Sequence, residues 1–212
     1  MNDFLKAMEF RHACKLFDAK KRIPKGNFGV ILEAGRLSPS SFGLEPWHFL
    51  VIESAKVKEA LKKAILNQPQ VTTCSHLVIL LSRKAKFFKQ ESGYLDKMFG
   101  RTAKDIKTVE AAKISFERFL HNNLEADTTN WAKMQAYIAG TNMMNAAAFL
   151  GIDSCPMEGF DAGELKKSLS KNVSEFDKKS YKIAFVIAFG YRVNESEEKV
   201  RCSIEEIATF VK

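Results

Sequence analysis

The chain of 212 residues has little proline and no cluster of glycine, since its five Pro and eleven Gly are scattered. It lacks the Gly-rich phosphate loop of Rossmann and P-loop proteins, which excludes a dedicated dinucleotide-binding domain of either type. Its four Cys and four His show neither a CxxC pair nor metal-ligand spacing, so we expect no metal. Unpatterned cysteines, and an N-terminus too rich in charge for a signal peptide, predict free thiols in the cytoplasm.

The sequence also lacks a convincing membrane span and a continuous basic stripe. Its longest uncharged run, residues 134–152, contains Gln135, Asn142 and Asn145, which make transfer into a bilayer unfavourable. The formal net charge is +8, but the basic residues occur in small groups with acids between them. A solvated surface explains this pattern better than a nucleic-acid partner does.

What is present indicates one packed α+β domain over residues 1–212. Hydrophobic residues make up 46% of the chain, and no linker composition interrupts it. Helical patterns and strand patterns are few and widely spaced, unlike a repeating βαβ sequence. The patterns predict helices over 3–11, 24–37, 55–66, 131–150 and 161–169, strands over 47–53, 77–81 and 181–189, and a last amphipathic segment over 203–210.

Two regions invite a more specific prediction. The segment 131–150 has a single charge, Lys133, and is apolar almost all round, which indicates protein on both sides of a helix. A subunit interface and a deep core within one chain remain equally simple explanations. Residues 84–130 are charged and amphipathic, and we predict one or two helices that project from the core.

Five short segments carry residues of types that bind ligands or act in catalysis. They are Arg11-His12-Ala13-Cys14-Lys15, Ser38-Pro39-Ser40-Ser41, Pro46-Trp47-His48-Phe49, Pro156-Met157-Glu158-Gly159-Phe160 and Lys199-Val200-Arg201. Arg11 and Lys15, four apart at the predicted end of the first helix, have the charge and spacing to hold a phosphate. Each of these segments, taken alone, is explained equally well by a solvated helix end or an ordinary turn.

Taken together, in this order along the chain, the five segments resemble the nitroreductase family. The resemblance implies a central, mostly antiparallel sheet flanked by helices, with the long buried helix at a dimer interface. It also implies a flavin mononucleotide (FMN) in each of two interface sites, reduced by NADPH or NADH. Residues 84–130 would then carry substrate-facing aromatics, for which Phe87, Phe88, Phe116 and Phe119 are candidates.

The resemblance assigns roles to individual residues. Arg11, Lys199 and Arg201 would hold the FMN phosphate, and Lys15 would lie at the pyrimidine side of the ring and stabilise its negative charge when reduced. The backbone N–H groups of Glu158 and Gly159 would face flavin N5, so these two residues and Lys15 are the predicted catalytic residues. The predicted cofactor-binding residues are Arg11, His12, Ala13, Lys15, Pro39, Ser40, Ser41, Asn67, Pro156, Met157, Glu158, Gly159, Lys199 and Arg201. The Ser38–Ser41 segment would come from the opposite subunit.

Four positions depart from the family pattern. Ala13 stands where a Ser is common, Gly43 where Asn is frequent, Glu45 where Gln is frequent, and Gln70 where some members have a second flavin-facing Lys. These changes leave open the flavin potential and the choice of acceptor.

The function that the resemblance implies is a homodimeric FMN-dependent NAD(P)H oxidoreductase. It would reduce nitroaromatics, quinones or similar small acceptors by a ping-pong mechanism. Two alternatives remain open: another reaction on the same scaffold, such as dihydropteridine reduction or dehalogenation, and a basic nucleic-acid or regulatory binder without catalysis.

Overall fold

The computed structural model describes residues 2–123 and 127–212, so residues 124–126 of the predicted projecting region lie outside the described residues. The helices are α1 (Asp3–Phe10), α2 (Lys25–Arg36), α3 (Ala55–Lys62), α4 (Gln70–Thr73), α5 (Gly93–Phe99), α6 (Ile106–Asn123), α7 (Thr128–Phe149), α8 (Ala162–Asn172) and α9 (Ile204–Ile207). The strands are β1 (Trp47–Ile52), β2 (His76–Arg83), β3 (Asp153–Met157) and β4 (Tyr181–Gly190). Short 3-10 turns cover Ser41–Gly43, Lys63–Ile65 and Ala85–Phe88.

The four strands form one antiparallel sheet in the order β1-β2-β4-β3. The central strands β2 and β4 are almost wholly buried, as their continuous apolar sequences predict. β3 was not predicted as a strand, because its sequence Asp-Ser-Cys-Pro-Met has no alternating pattern. Pro156 is tolerated there since β3 is an edge strand, where one row of N–H groups needs no partner in the ladder.

The sheet divides the main core in two. Helices α2 and α7 pack on one face around Ile31, Met143 and Phe185, and α3 and α8 pack on the other around Leu61 and Leu165. Their apolar faces follow the helical spacing of the sequence. The predicted α+β fold with a central antiparallel sheet flanked by helices is therefore confirmed.

Helix α7 lies against the sheet along one side and is uncovered along another. At Gly140 an added Cβ would clash with the Phe185 ring and lie 2.9 Å from Leu80 Cδ2, so the helix backbone rests directly on the sheet. On the outer side, Met134, Ile138 and Phe149 are 53%, 39% and 52% exposed. One chain therefore does not surround α7 with protein, although its sequence is apolar almost all round.

The predicted projecting region builds a hydrophobic cluster of its own with the start of α7. Phe88 and Phe116 are 4% and 0% exposed and pack with Leu44, Leu95 and Trp131. The interpretation of Phe88 and Phe116 as substrate-facing aromatics is therefore wrong for this chain, since both rings are core. Among the described residues, no helix combines the length and the apolar character that crossing a bilayer requires.

Candidate functional site

The first predicted motif lies just after α1 rather than on it. The helix ends at Phe10, and the Arg11 N–H closes it by donating to Ala7 O at 3.0 Å. The chain then runs beside β3, where Ala13 forms a parallel bridge to Ser154 and the Cys14 N–H donates to Ser154 O at 3.1 Å. Arg11 and Lys15 are thus positioned by an extended segment, and the prediction that both stand at a helix end is wrong.

This segment forms one wall of a cavity of about 640 Å³, and residues 194–201 form the other. The cavity brings together Arg11, His12, Ala13, Lys15, Lys199 and Arg201 from opposite ends of the chain. The pKa of Lys199 is lowered, first by its partial burial and then by the positive charges of Arg11 and Arg201. The mutual repulsion of these three cations would be relieved by a dianionic phosphate bound between them.

A buried ion pair holds the walls of this cavity in place. Arg192 Nε donates to Asp153 Oδ1 at 2.8 Å and Nη2 donates to Phe10 O at 3.1 Å, while Nη2 lies 2.6 Å from Asp153 Oδ1, which joins the end of β4 to β3 and to α1. His12 Nδ1 lies 3.6 Å from Asp153 Oδ1. The pKa of His12 is lowered, mainly by burial and next by the Arg192 charge, which favours a neutral imidazole at the cavity wall.

A series of polar contacts leads from Lys15 to the Glu158-Gly159 loop. Lys15 Nζ lies 3.8 Å from Cys155 Sγ, and Gln70 Nε2 lies 3.6 Å from the same sulfur. Gln70 Nε2 also donates to Gln68 Oε1 at 2.8 Å, and Gln68 Nε2 donates to Gly159 O at 2.8 Å. Burial raises the pKa of Cys155 against the opposing charge of Lys15, so the sulfur is a thiol.

The Glu158-Gly159 loop begins where the β3–β4 ladder ends, at the pair Met157–Val186. The N–H groups of Glu158 and Gly159 therefore lie beyond the ladder. Nothing in the packing requires glycine at position 159, because an added Cβ would meet Leu66 Cδ1 at an ordinary 3.5 Å. A glycine that the protein's own packing does not need fits close approach of a planar ligand to the backbone.

Tyr137 on α7 supports this loop from the other side. Its hydroxyl donates to Glu158 Oε1 at 2.5 Å, and its ring stacks on Phe185 with 4.3 Å between centroids. The pKa of Tyr137 is raised, mainly by burial and further by Glu158, so the phenol keeps its proton. A neighbouring cavity of about 450 Å³ is lined by Tyr137, Thr141, Met144, Pro156, Glu158 and Phe185.

Sequence reasoning missed Tyr137 and Gln68 as supports of the site. Tyr137 carries the one phenol in the segment 131–150, and a buried phenol usually needs a hydrogen-bond partner, which was a usable signal. Gln68 offered no signal. Its role depends on the turn at Leu66 and Asn67, both at positive φ (54° and 56°), which brings the 66–68 segment against Gly159.

The Pro39, Ser40 and Ser41 positions lie elsewhere in this chain. The Ser41 N–H donates to Gln135 Oε1 at 2.9 Å, and Ser40 Oγ accepts from the Glu45 N–H at 2.8 Å. Within the part of the chain that the structure describes, these three residues line neither of the two cavities above. Arg11, His12, Ala13, Lys15, Lys199 and Arg201 line one of these cavities and Pro156 and Glu158 line the other, so the Pro39–Ser41 segment stands apart from both.

Comparison with known proteins agrees with this geometry. The model of the nitroreductase family matches residues 8–191. The chain is 39% identical to "Putative NAD(P)H nitroreductase YfkO" of Bacillus subtilis (strain 168), over 98% of this chain and 96% of that protein. It is 41% identical to "Putative NAD(P)H nitroreductase SH0546" of Staphylococcus haemolyticus (strain JCSC1435), with the same coverage of each.

Solved structures share the fold. A nitroreductase-like protein from Streptococcus mutans superposes with a TM-score of 0.84 at 22% identity, over 100% of both chains. An Exiguobacterium sibiricum protein, described as a putative nitroreductase in complex with FMN, gives a TM-score of 0.79 at 23% identity, over 100% of this chain and 98% of that one.

The fold and the site define an α+β protein in which a cavity lined by four basic side chains is linked through side-chain contacts to the Glu158-Gly159 loop. With the match over most of its length, the chain belongs to the nitroreductase family.

Proposed function

We propose that this protein is an FMN-dependent NAD(P)H oxidoreductase that reduces nitroaromatics, quinones or similar small acceptors. The observation that carries the proposal is the convergence of Arg11, Lys199 and Arg201 on one cavity that Lys15 also lines. From Lys15, a series of side-chain contacts leads to the Glu158-Gly159 loop. Support comes from relatives named NAD(P)H nitroreductases and from the FMN complex described for the Exiguobacterium protein.

The residues of the cavity fit FMN at both ends. Arg11, Lys199 and Arg201 would bind the phosphate through charge-assisted hydrogen bonds. When bound, FMN supplies two-electron chemistry, by which hydride passes from the nicotinamide to the acceptor. Lys15 would place a fixed positive charge beside the ring of bound FMN, and a positive charge there would favour its reduction.

The remaining role of the protein is to hold the reacting groups and the hydrogen-bond donors of the loop in position. The N–H groups of Glu158 and Gly159 would donate hydrogen bonds to the redox centre of bound FMN. Gln68 holds the Gly159 carbonyl and Tyr137 holds the Glu158 carboxylate, so that the loop keeps its donors aimed. The proton that an acceptor needs comes from solvent, and no side chain is assigned as a general acid.

We propose a ping-pong order, in which NAD(P)H and the acceptor occupy the same space in turn. This order is supported by the small size of the cavity beside Glu158, about 450 Å³, which suits one planar ring at a time. The chain adds no Gly-rich nucleotide loop that would hold the reductant elsewhere.

The active form in this proposal is a homodimer. Support comes from the apolar outer face of α7 (Met134, Ile138 and Phe149), which is exposed in one chain and continues onto Phe4 of α1, 6.0 Å from Phe149 between ring centroids. A second copy packed on this face would bury it. It would also allow Pro39, Ser40 and Ser41 of each subunit to complete the other's site.

The visible absorbance of the purified protein tests the function. We expect two flavin bands, which bleach without oxygen on addition of NADPH or NADH and return on addition of a nitroaromatic or a quinone. A flavin that stays oxidised with both nucleotides would indicate another reaction on this scaffold. A colourless protein that also rejects added FMN would contradict the proposal and favour a non-enzymatic binder.

A further inference from the structure

A second cationic cavity lies apart from the one around Arg11. It has a volume of about 380 Å³ and forms where the end of β2, the start of β4 and the first turns of α7 and α8 meet. Four lysines from four different segments converge on it. The lining residues are Lys84, Lys133, Ala162, Gly163, Lys166, Phe176, Tyr181, Lys182 and Ile183, none of which lines the Arg11 cavity.

The positive charge in this cavity is not neutralised by the protein. None of its lining residues is acidic. Across residues 2–123 and 127–212, no carboxylate lies within 4.0 Å of any of the four lysine ammonium groups. Lys113 shows the contrast, since its ammonium lies 2.9 Å from Asp96 and 3.2 Å from Glu110.

The effect of the surrounding positive charge is seen at Lys84. Its Nζ donates to Lys178 O at 2.7 Å, which holds the ammonium in position. The pKa of Lys84 is lowered, first by partial burial and then by the positive charges of Lys166, Lys86 and Lys182, against a weaker opposing effect of Asp177. Like charges that depress one another's protonation are stabilised when an anion enters between them.

The floor of the cavity is apolar and aromatic. Phe176 and Ile183 are buried, and Tyr181 is half-buried beside them. Inorganic phosphate alone would make no favourable contact with this apolar floor. A ring that carries a phosphate fits both parts, since its base or sugar packs on the floor and its phosphate meets the lysines.

The cavity adjoins the proposed redox site. Lys133 lies one helical turn before Tyr137 on α7, and side chains at this spacing share a helix face. Ala162 follows the Glu158-Gly159 loop by a few residues. We propose that this four-lysine cavity binds the phosphomonoester of an adenine nucleotide.

Two sources could supply that group. One is the 2′-phosphate that distinguishes NADPH from NADH, and this identification rests on the proposed function. The other is a separate adenosine phosphate that binds independently of the reductant.

The first test is calorimetric titration of the FMN-saturated protein with adenosine 2′,5′-bisphosphate, because FMN then occupies the Arg11 cavity. The double variant Lys133→Gln/Lys166→Gln is compared with a control of equal charge change, Lys20→Gln/Lys56→Gln, whose lysines are exposed and line neither cavity. We expect Kd to rise about tenfold or more in the cavity variant, the scale of one lost charge-assisted hydrogen bond, and to stay unchanged in the control. Equal Kd values in all three proteins, or no binding to the wild type, would overturn the site.

The second test separates the two sources by anaerobic stopped-flow reduction with NADPH and NADH. If the reductant is the ligand, the cavity variant loses affinity for NADPH and keeps its affinity for NADH. If a separate adenosine phosphate is the ligand, both nucleotides reduce the variant as they reduce the wild type, although bisphosphate binding is weakened. Failure of both nucleotides to reduce the wild type would contradict the proposed function alone. The titration would still test whether the four-lysine cavity binds adenosine 2′,5′-bisphosphate. Circular dichroism and FMN retention verify that each variant is folded.

Discussion

Replacement of Arg201 by alanine tests the cationic cavity most directly. Arg201 lines this cavity, and its charge is one of the two that lower the pKa of Lys199 after burial. Arg201→Ala removes one of the four basic side chains of the cavity and leaves the folded core untouched, because the side chain is exposed. If the cavity holds the FMN phosphate, the affinity for FMN must fall.

The structure sets the expected size of this effect. A hydrogen bond to a charged group contributes about 1.5–3 kcal/mol. We expect the lower end of this range, because Arg201 is exposed in the free chain and because its removal relieves the repulsion on Lys199. A loss of about 1.5 kcal/mol corresponds to an increase in the Kd for FMN of about tenfold.

The assay is quenching of FMN fluorescence on titration with apoprotein, at two salt concentrations. The matched control is Arg118→Ala, which removes an exposed arginine of α6 that does not line this cavity. The wild type and the control should share one Kd, and the Arg201 variant should show weaker binding with a smaller salt dependence. An unchanged Kd for the Arg201 variant, or an equal increase in the control, would refute the assignment of the phosphate to this cavity.

Three further predictions concern packing and protonation. Gly140→Ala should lower the free energy of unfolding by about 1–2 kcal/mol net, since overpacking against Phe185 outweighs the gain in helix propensity; urea unfolding measures the change. Lys58 is buried, and burial lowers its pKa below the ordinary value of 10.5, so at this residue the unfolded chain binds more protons and the contribution of Lys58 to stability grows as the pH rises towards 10.5; the stability of the wild type relative to Lys58→Met should therefore increase with pH. Thiol titration at pH 8 should detect one reactive cysteine in each folded chain, the exposed Cys202, because the other three are buried.

Each of these predictions has a control. Gly29→Ala, in the middle of α2 with open space at its Cβ, should raise stability by about 0.5–1 kcal/mol, and a loss there equal to that of Gly140→Ala would remove the packing explanation. For Lys58, an equal pH dependence in the wild type and the methionine variant would contradict the role of its titration. For the thiols, Cys202→Ser should abolish the labelling, and labelling that persists in this variant would contradict the burial of the other cysteines.

Much of the fold could be predicted from local patterns. The segments that became β1, β2, β4 and α7 carry apolar runs or helical spacing strong enough to be read without a structure. β3 could not be predicted in this way, because its five residues include Asp, Ser and Pro and are held by pairing with β4. Strand pairing depends on a partner that is distant in sequence, and no local pattern reports it.

For the candidate site, too, the residue types could be predicted from the sequence, whereas their arrangement in space could not. The order of the Arg11, Lys15 and Glu158-Gly159 segments was enough to predict the family, which the comparisons confirm. The assignment of individual residues to FMN stays a prediction. The series of contacts from Lys15 through Cys155, Gln70 and Gln68 to Gly159 was invisible in the sequence, since three of its four contacts join residues that are 85 or more positions apart.

The sequence by itself therefore determined the α+β class, the family and the residue types available for a phosphate and a redox centre. Only the tertiary structure decided that Arg11 and Arg201 face one cavity, that Phe88 and Phe116 are core, and that four lysines converge near α8. The physical reason is that composition and periodicity act through neighbours along the chain. Cavities and charge clusters arise instead from packing between segments that are far apart in sequence.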